Sequence, residues 1–121
     1  MKLLVGVLLL LAPVSAFADD GAKLFTPCRA CHSLDAAEQG LPGPNLSGLI
    51  GRKVGSAEGF DYSPARRKAN ADGLRWDAER FDRSLTDPAG MFPGLWMSIR
   101  GIEDAGERQA VVRFLTDPAS R

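Results

Sequence analysis

Hydrophobic positions fall into two regimes along this chain. Residues 1–18, MKLLVGVLLLLAPVSAFA, are almost wholly apolar, with no helical or strand period that would leave a polar face. From Asp19 onward, short amphipathic stretches alternate with long runs rich in Gly and Pro. No stretch sustains the alternation of Val, Ile, Thr and Tyr that a half-buried strand needs. The pattern predicts an all-α chain of short helices joined by long loops. It contains no internal repeat, no low-complexity tract and no linker, and so reads as one domain.

The first helix is expected from about Asp20 to Ala30, with Asp19 and Asp20 at the positive end of its dipole. Leu24 and Phe25 give it an apolar face, and Pro27 bends it just before Cys28. Ser33 to Glu58 then carries five Gly and two Pro; a loop this long in a small domain is normally functional or packed around something. Ser63-Pro64 reads as an N-cap followed by Pro at the first helical position, opening a helix to about Ala69. Another helix is expected over Asp77–Thr86, ended by Asp87-Pro88. Residues 88–101 form a second loop containing Pro93-Gly94 and Met97. Asp104-x-x-Glu107 resembles a capping box, and the last helix presents Ala110, Val111, Phe114 and Leu115 as one apolar stripe before Pro118 stops it.

The leading apolar segment changes the picture of compartment and charge. Lys2 supplies a charged start, Leu3–Leu11 an apolar run, and Ala16-Phe17-Ala18 a small-x-small cleavage site. The run is shorter than the ~20 residues a spanning helix needs. Residues 1–18 are therefore expected to be a cleaved signal peptide, leaving residues 19–121 as a single exported domain, soluble in the periplasm and without stable membrane insertion. Lys+Arg and Asp+Glu balance at 15 each over the whole chain; loss of Lys2 leaves a formal charge of −1. That balance excludes a nucleic-acid binder, which needs a basic surplus to displace counterions. Four short helices also bury little apolar surface for a domain of this size, and such domains usually need an internal scaffold.

The scaffold is announced by the chain's two Cys and one His, which stand together as Cys28-Arg29-Ala30-Cys31-His32. C-x-x-C-H is the attachment signature of c-type haem. Two Cys three apart present their sulfurs to one edge of a flat ring, and the following His can ligate iron, so one covalently attached haem c is expected. Thioredoxin-like chemistry lacks its βαβ setting. Structural zinc lacks ligands, because the chain has only three Cys or His residues and such sites want four. A plain disulfide would leave the core deficit unsolved. The second axial ligand cannot be another His, and Met is the natural candidate because His/Met ligation raises the reduction potential. On spacing alone, Met91 and Met97 compete equally.

Taken together, the motifs resemble class I c-type cytochromes, the family that includes mitochondrial cytochrome c and soluble bacterial electron carriers. The resemblance covers nearly all of residues 21–115. It implies the cytochrome c fold, short helices and long loops wrapped around one haem, with Cys28 and Cys31 as thioether positions and His32 as an axial ligand. Gly43-Pro44-Asn45-Leu46 is similar to the family segment whose Pro carbonyl holds the ligating imidazole, which makes Pro44 the partner of His32. Gly51-Arg52-Lys53-x-Gly55 and Gly59-Phe60-x-Tyr62-Ser63 resemble the run along the haem propionates; by analogy Arg52, Tyr62 and Trp76 would bond or neutralise them. Pro93-Gly94-x-x-Met97-x-x-x-Gly101-Ile102 matches the family's Met loop and favours Met97 over Met91. Gly21 with Phe25, and Phe114 with Leu115, resemble the crossing of first and last helices.

The sequence also departs from that family. Phe25 lies one residue closer to the haem Cys than in mitochondrial relatives. Three extra residues stand around Arg66-Arg67-Lys68, and Ser84 occupies a place where relatives carry Tyr. Leu95, Trp96 and Ile99 replace the residues usual around the ligating Met, and Lys is scarce beside Arg. The resemblance implies a monomeric electron carrier, not an enzyme, that exchanges single electrons with redox-protein donors and acceptors. The competing readings are a haem enzyme or gas- or peroxide-binding protein with a labile sixth ligand, and a dedicated subunit of one oxidoreductase.

Overall fold

A computed structural model describes residues 16–117 of the chain, with side chains from residue 20 onward. Most of the expected signal segment, and Pro118, lie outside the described residues. Among the described residues there are five α-helices: α1 (Ala16–Phe25), α2 (Pro64–Ala71), α3 (Ala78–Thr86), α4 (Pro88–Met91) and α5 (Ala105–Thr116). A 3-10 turn over Thr26–Ala30 continues α1. The described residues contain no named strand; an isolated antiparallel bridge pairs Lys53 with Arg75. All-α with long loops is the architecture observed.

The first helix differs from expectation at both ends. It begins at Ala16 and stops at Phe25. Pro27 has no N–H to donate back into an α-helix, so the chain tightens into the 3-10 turn that carries Cys28. The helix expected to end near Ala69 runs on to Ala71. Ser63 does stand before it, but its hydroxyl makes no capping bond. Asp77 and Asp104 do cap: Arg80 N–H donates to the Asp77 carboxylate at 2.7 Å, and Glu107 N–H to that of Asp104 at 2.8 Å. Asp87 ends α3 and also caps α4, accepting from Gly90 N–H at 2.9 Å. That second role, with Pro88 at the first helical position, makes a short helix where the sequence suggested only loop.

The first and last described helices build one wall of the core. Residues of α1 cross α5, and Phe25 packs on Phe114 with ring centroids 5.5 Å apart. Both rings are buried, each a contribution of about 1.5–3 kcal/mol. The approach depends on Gly21, as its place in the sequence suggested: a Cβ there would lie 2.5 Å from the Ala110 carbonyl oxygen and 2.8 Å from Phe114 Cβ. Loops supply the opposite wall, through Leu49, Val54, Trp76 and Phe92. Main-chain bonds bind those loops together: Gly51 N–H to the Trp76 carbonyl at 2.7 Å, and Trp76 N–H to that of Arg52 at 2.8 Å. Arg108 of α5 ties the remaining elements. It reaches Asp82 of α3 at 3.2 Å and the carbonyls of Ile102 and Glu103 at 2.8 Å each.

Candidate functional site

The 3-10 turn fixes the Cys28-x-x-Cys31-His32 segment. The N–H groups of Cys31 and His32 both donate to the Cys28 carbonyl, at 3.1 and 2.9 Å. Cys28 is half-buried against the core and Cys31 is exposed, and both are free thiols. Burial raises the Cys28 thiol above its ordinary value, and the neighbouring Cys31 adds to the rise against an opposing backbone hydrogen bond.

His32 is oriented by the loop that follows it. Its Nδ1 lies 2.7 Å from the Pro44 carbonyl oxygen. A carbonyl can only accept, so Nδ1 carries the proton and Nε2 keeps its lone pair. Burial holds the imidazole below its ordinary pKa, the Pro44 bond opposes that, and the charge on Arg66 lowers it further. A neutral imidazole with an open Nε2 is the form that binds a metal. Gly43 makes this contact possible: its N–H donates to the Cys31 carbonyl at 2.8 Å, and a Cβ there would lie 2.5 Å from His32 Cε1.

Arg52 is joined to the buried Trp76 through the main chain and acts electrostatically on the buried Tyr62. Arg52 braces its own loop, donating to the carbonyls of Ser47 at 2.8 Å and Asn45 at 3.0 Å, while its buried Nε has no partner. The Tyr62 hydroxyl accepts from Ala57 N–H at 3.0 Å, which leaves its own proton free to donate. Trp76 is held edge-on by Phe81 and Phe92, each 6.0 Å away between centroids. Both Arg52 and Arg66 act electrostatically on Tyr62, so the two cations share its surroundings.

The second loop holds Met97 half-buried. Leu95 N–H donates to the Phe92 carbonyl at 3.0 Å across the Pro93-Gly94 turn, where Gly94 takes φ +76°. Ile102 N–H then returns to the Leu85 carbonyl at 2.8 Å, closing the loop on α3. Near Met97, Trp96 is 57% and Ile99 46% exposed. Met91 packs against the core instead, as does Leu95. Ser84 is buried and its hydroxyl bonds back to the Phe81 carbonyl at 2.7 Å.

These residues fit a haem on the chain's own chemistry. The site offers two free thiols, an imidazole with Nε2 open and a thioether in an anchored loop. Three buried polar atoms lack partners among the described residues, Arg52 Nε, Ser63 Oγ and Arg66 Nε. Each can donate a hydrogen bond, which suits an anionic group in the interior. In the sequence Arg66 is one of three consecutive cations, Arg66-Arg67-Lys68, and no period or motif sets it apart from the other two.

The model of the family described as "Cytochrome c" matches residues 18–117. Cytochrome c-550 of Ancylobacter novellus is 43% identical over 82 residues, covering 68% of this chain and 77% of that protein. Cytochrome c2 iso-2 of Magnetospirillum fulvum is 38% identical over 96 residues, covering 79% of this chain and 96% of its own length. Among solved structures, cytochrome cH from Methylobacterium extorquens superposes with a TM-score of 0.71 at 36% identity, covering 81% of this chain and 95% of that one.

Proposed function

The chain belongs to the cytochrome c family, a family defined by covalently bound haem c, and from that premise we propose that it works as an exported, monomeric one-electron carrier with His32 and Met97 as axial ligands. The observation that carries the ligand reading is the 2.7 Å bond from His32 Nδ1–H to Pro44, which turns a neutral Nε2 into the free coordinating atom. Cys28 and Cys31 supply the two thioethers. Met97 is the sulfur partner because its loop is anchored at both ends, whereas Met91 is occupied in core packing. Arg52, Tyr62 and Trp76 would bond or neutralise the haem propionates.

When bound, haem supplies a ferric/ferrous couple that gains or loses one electron. His32 and Met97 would hold that couple, and the apolar core residues packed beside Cys28 would limit the access of water to it. Pro44 orients His32; the Pro93-Gly94 turn and the Ile102–Leu85 bond hold the Met97 loop. Redox proteins are the partners this reading implies. They would meet a surface where Trp96 and Ile99 are exposed, rather than a ring of lysines.

Removal of residues 1–18 and delivery to the periplasm belong to the same reading, supported by the leader pattern. No helix among the described residues is long and apolar enough to cross a membrane. The test is an optical spectrum of the purified exported protein in both oxidation states, with its N-terminal residue and its mass in solution. Six-coordinate spectra with a sulfur-to-iron band in the ferric state, and a monomer beginning at Asp19, are the expected result. Rapid binding of carbon monoxide or cyanide would instead favour a ligand-binding protein or haem enzyme.

A further inference from the structure

We infer that Arg66 is a counter-charge for a haem propionate, an anion-binding position in the first turn of α2. The inference rests on the haem reading above. Arg66 lies in the first turn of α2 and turns inward. Its guanidinium sits 4.1 Å from the Phe92 ring centroid and 5.0 Å from that of Trp76. Its side chain makes no ion pair or hydrogen bond among the described residues, and its Nε is both buried and without an acceptor. Neighbouring cations on the same helix are provided for: Arg67 pairs with Asp61, and Lys68 with Asp72 at 2.5 Å.

Arg66 is part-buried, with a dry Nε that lacks an acceptor; leaving such a donor unpaired is costly, and two aromatic faces compensate only part of the lost hydration. Burial brings the Arg66 pKa down to about 10, with Tyr62 opposing the fall, so the side chain is still charged at neutral pH. The groups coupled to it electrostatically are Tyr62, which also feels Arg52, and His32. None of these is a carboxylate. The three orphaned donors, Arg52 Nε, Ser63 Oγ and Arg66 Nε, flank Tyr62 in sequence, and both arginines act on its hydroxyl. A carboxylate is the complement such a cluster lacks, and guanidinium binds carboxylate in a fixed fork. The propionates are the carboxylates that a haem would bring to this interior.

The experiment uses the mature holoprotein and the variants Arg66→Met, Arg66→Gln and Arg66→Lys. Their reduced-to-oxidised ratios are read at one applied potential, beside redox-difference infrared spectra with isotope-labelled haem carboxyls. Loss of the charge in Arg66→Met or Arg66→Gln is expected to lower the reduced-to-oxidised ratio by about tenfold, the scale of one unit charge in a low-dielectric interior. The labelled carboxylate band should move in the same variants, and Arg66→Lys should stay near the parent in both readouts. A ratio unchanged in the uncharged variants, an unmoved carboxylate band, or equal shifts in the Lys and uncharged variants would each overturn the inference. Arg66→Gln retains a polar head, so the test survives if Arg66→Met does not fold. The optical spectrum of the same parent sample separates failure of the haem or ligand assignment from failure of this inference.

Discussion

Gly43 presents bare backbone to the edge of the His32 ring, so close that a Cβ would lie 2.5 Å from Cε1 and 2.8 Å from Nδ1. The same residue's N–H holds the Cys31 carbonyl at 2.8 Å. One position thus sets where the imidazole stands relative to the two thiols. Gly43→Ala is expected to push the ring from the Pro44 carbonyl and to destabilise the protein by about 1–3 kcal/mol, the usual effect of overpacking. Thermal unfolding would measure the loss, and the visible spectrum of the holoprotein would register the disturbed ligand. Unchanged Tm and spectrum would show that the loop moves freely to admit a methyl group.

The two methionines separate ligation from packing. Met97→Ala is expected to abolish the sulfur-to-iron band and lower the potential, since His/Met ligation favours the reduced state. Met91→Ala should keep that band and lose about 1–2 kcal/mol of stability, because Met91 is only half-buried against the core. The reverse pattern would move the ligand assignment to Met91.

Tyr62 makes alkaline stability a direct readout of the interior. Burial raises its phenol above the ordinary value of 10.0, against the opposing Ala57 bond and the charges of Arg52 and Arg66. The unfolded chain therefore ionises first as pH rises. Above about pH 10 it has bound fewer protons than the folded chain, so stability falls with increasing pH. The contribution is intact below the unfolded value and is lost as pH climbs through the raised folded value. Tyr62→Phe is expected to flatten that decline while losing about 1 kcal/mol at neutral pH from the Ala57 bond. Because Tyr62 is the chain's only tyrosine, phenolate absorbance assigns the parent's transition without ambiguity. Identical decline in parent and variant would remove Tyr62 from the account.

Arg108 joins three oxygens from separate residues, the Asp82 carboxylate and the carbonyls of Ile102 and Glu103. Lysine has a single compact ammonium and cannot reproduce that fork. Arg108→Met should destabilise by about 2–3 kcal/mol, and Arg108→Lys should recover less than half of it. Denaturant midpoints would compare the two. Full recovery in the lysine variant would reduce the interaction to charge alone.

Local chemistry explains which features were legible. Asp104 is recognisable because capping depends on a residue type at a fixed distance from a helix start; Asp77, expected as the first residue of its helix, is instead that helix's cap. The His32–Pro44 pair was legible through resemblance, as was the α1–α5 crossing through Gly21. Ser63 shows the limit of such signals. It has the right type and place for a cap, yet its hydroxyl is turned into the interior without a partner. The α4 helix escaped notice because Asp87 does double service, ending one helix and starting the next. Arg52, expected at a propionate, has only its Nε free to donate to one, because its terminal nitrogens hold the Asn45 and Ser47 carbonyls, and that division of labour is not written in the sequence. Arg66 depended entirely on which way one turn of a polar helix faces, and no pattern in PARRKANA specifies that.

The crossing of α1 on α5 has a topological consequence. It clasps the first and last described helices, so residues 26–104 form a loop closed without a covalent link. A single backbone cut at the exposed Glu58-Gly59 pair leaves one half of the clasp on each fragment. The Cys28–His32 segment would remain on one fragment and Met97 on the other, each still carrying the surface that finds its counterpart. Integrity of the centre then depends on the clasp rather than on an unbroken chain, and a nicked molecule can persist as a noncovalent pair.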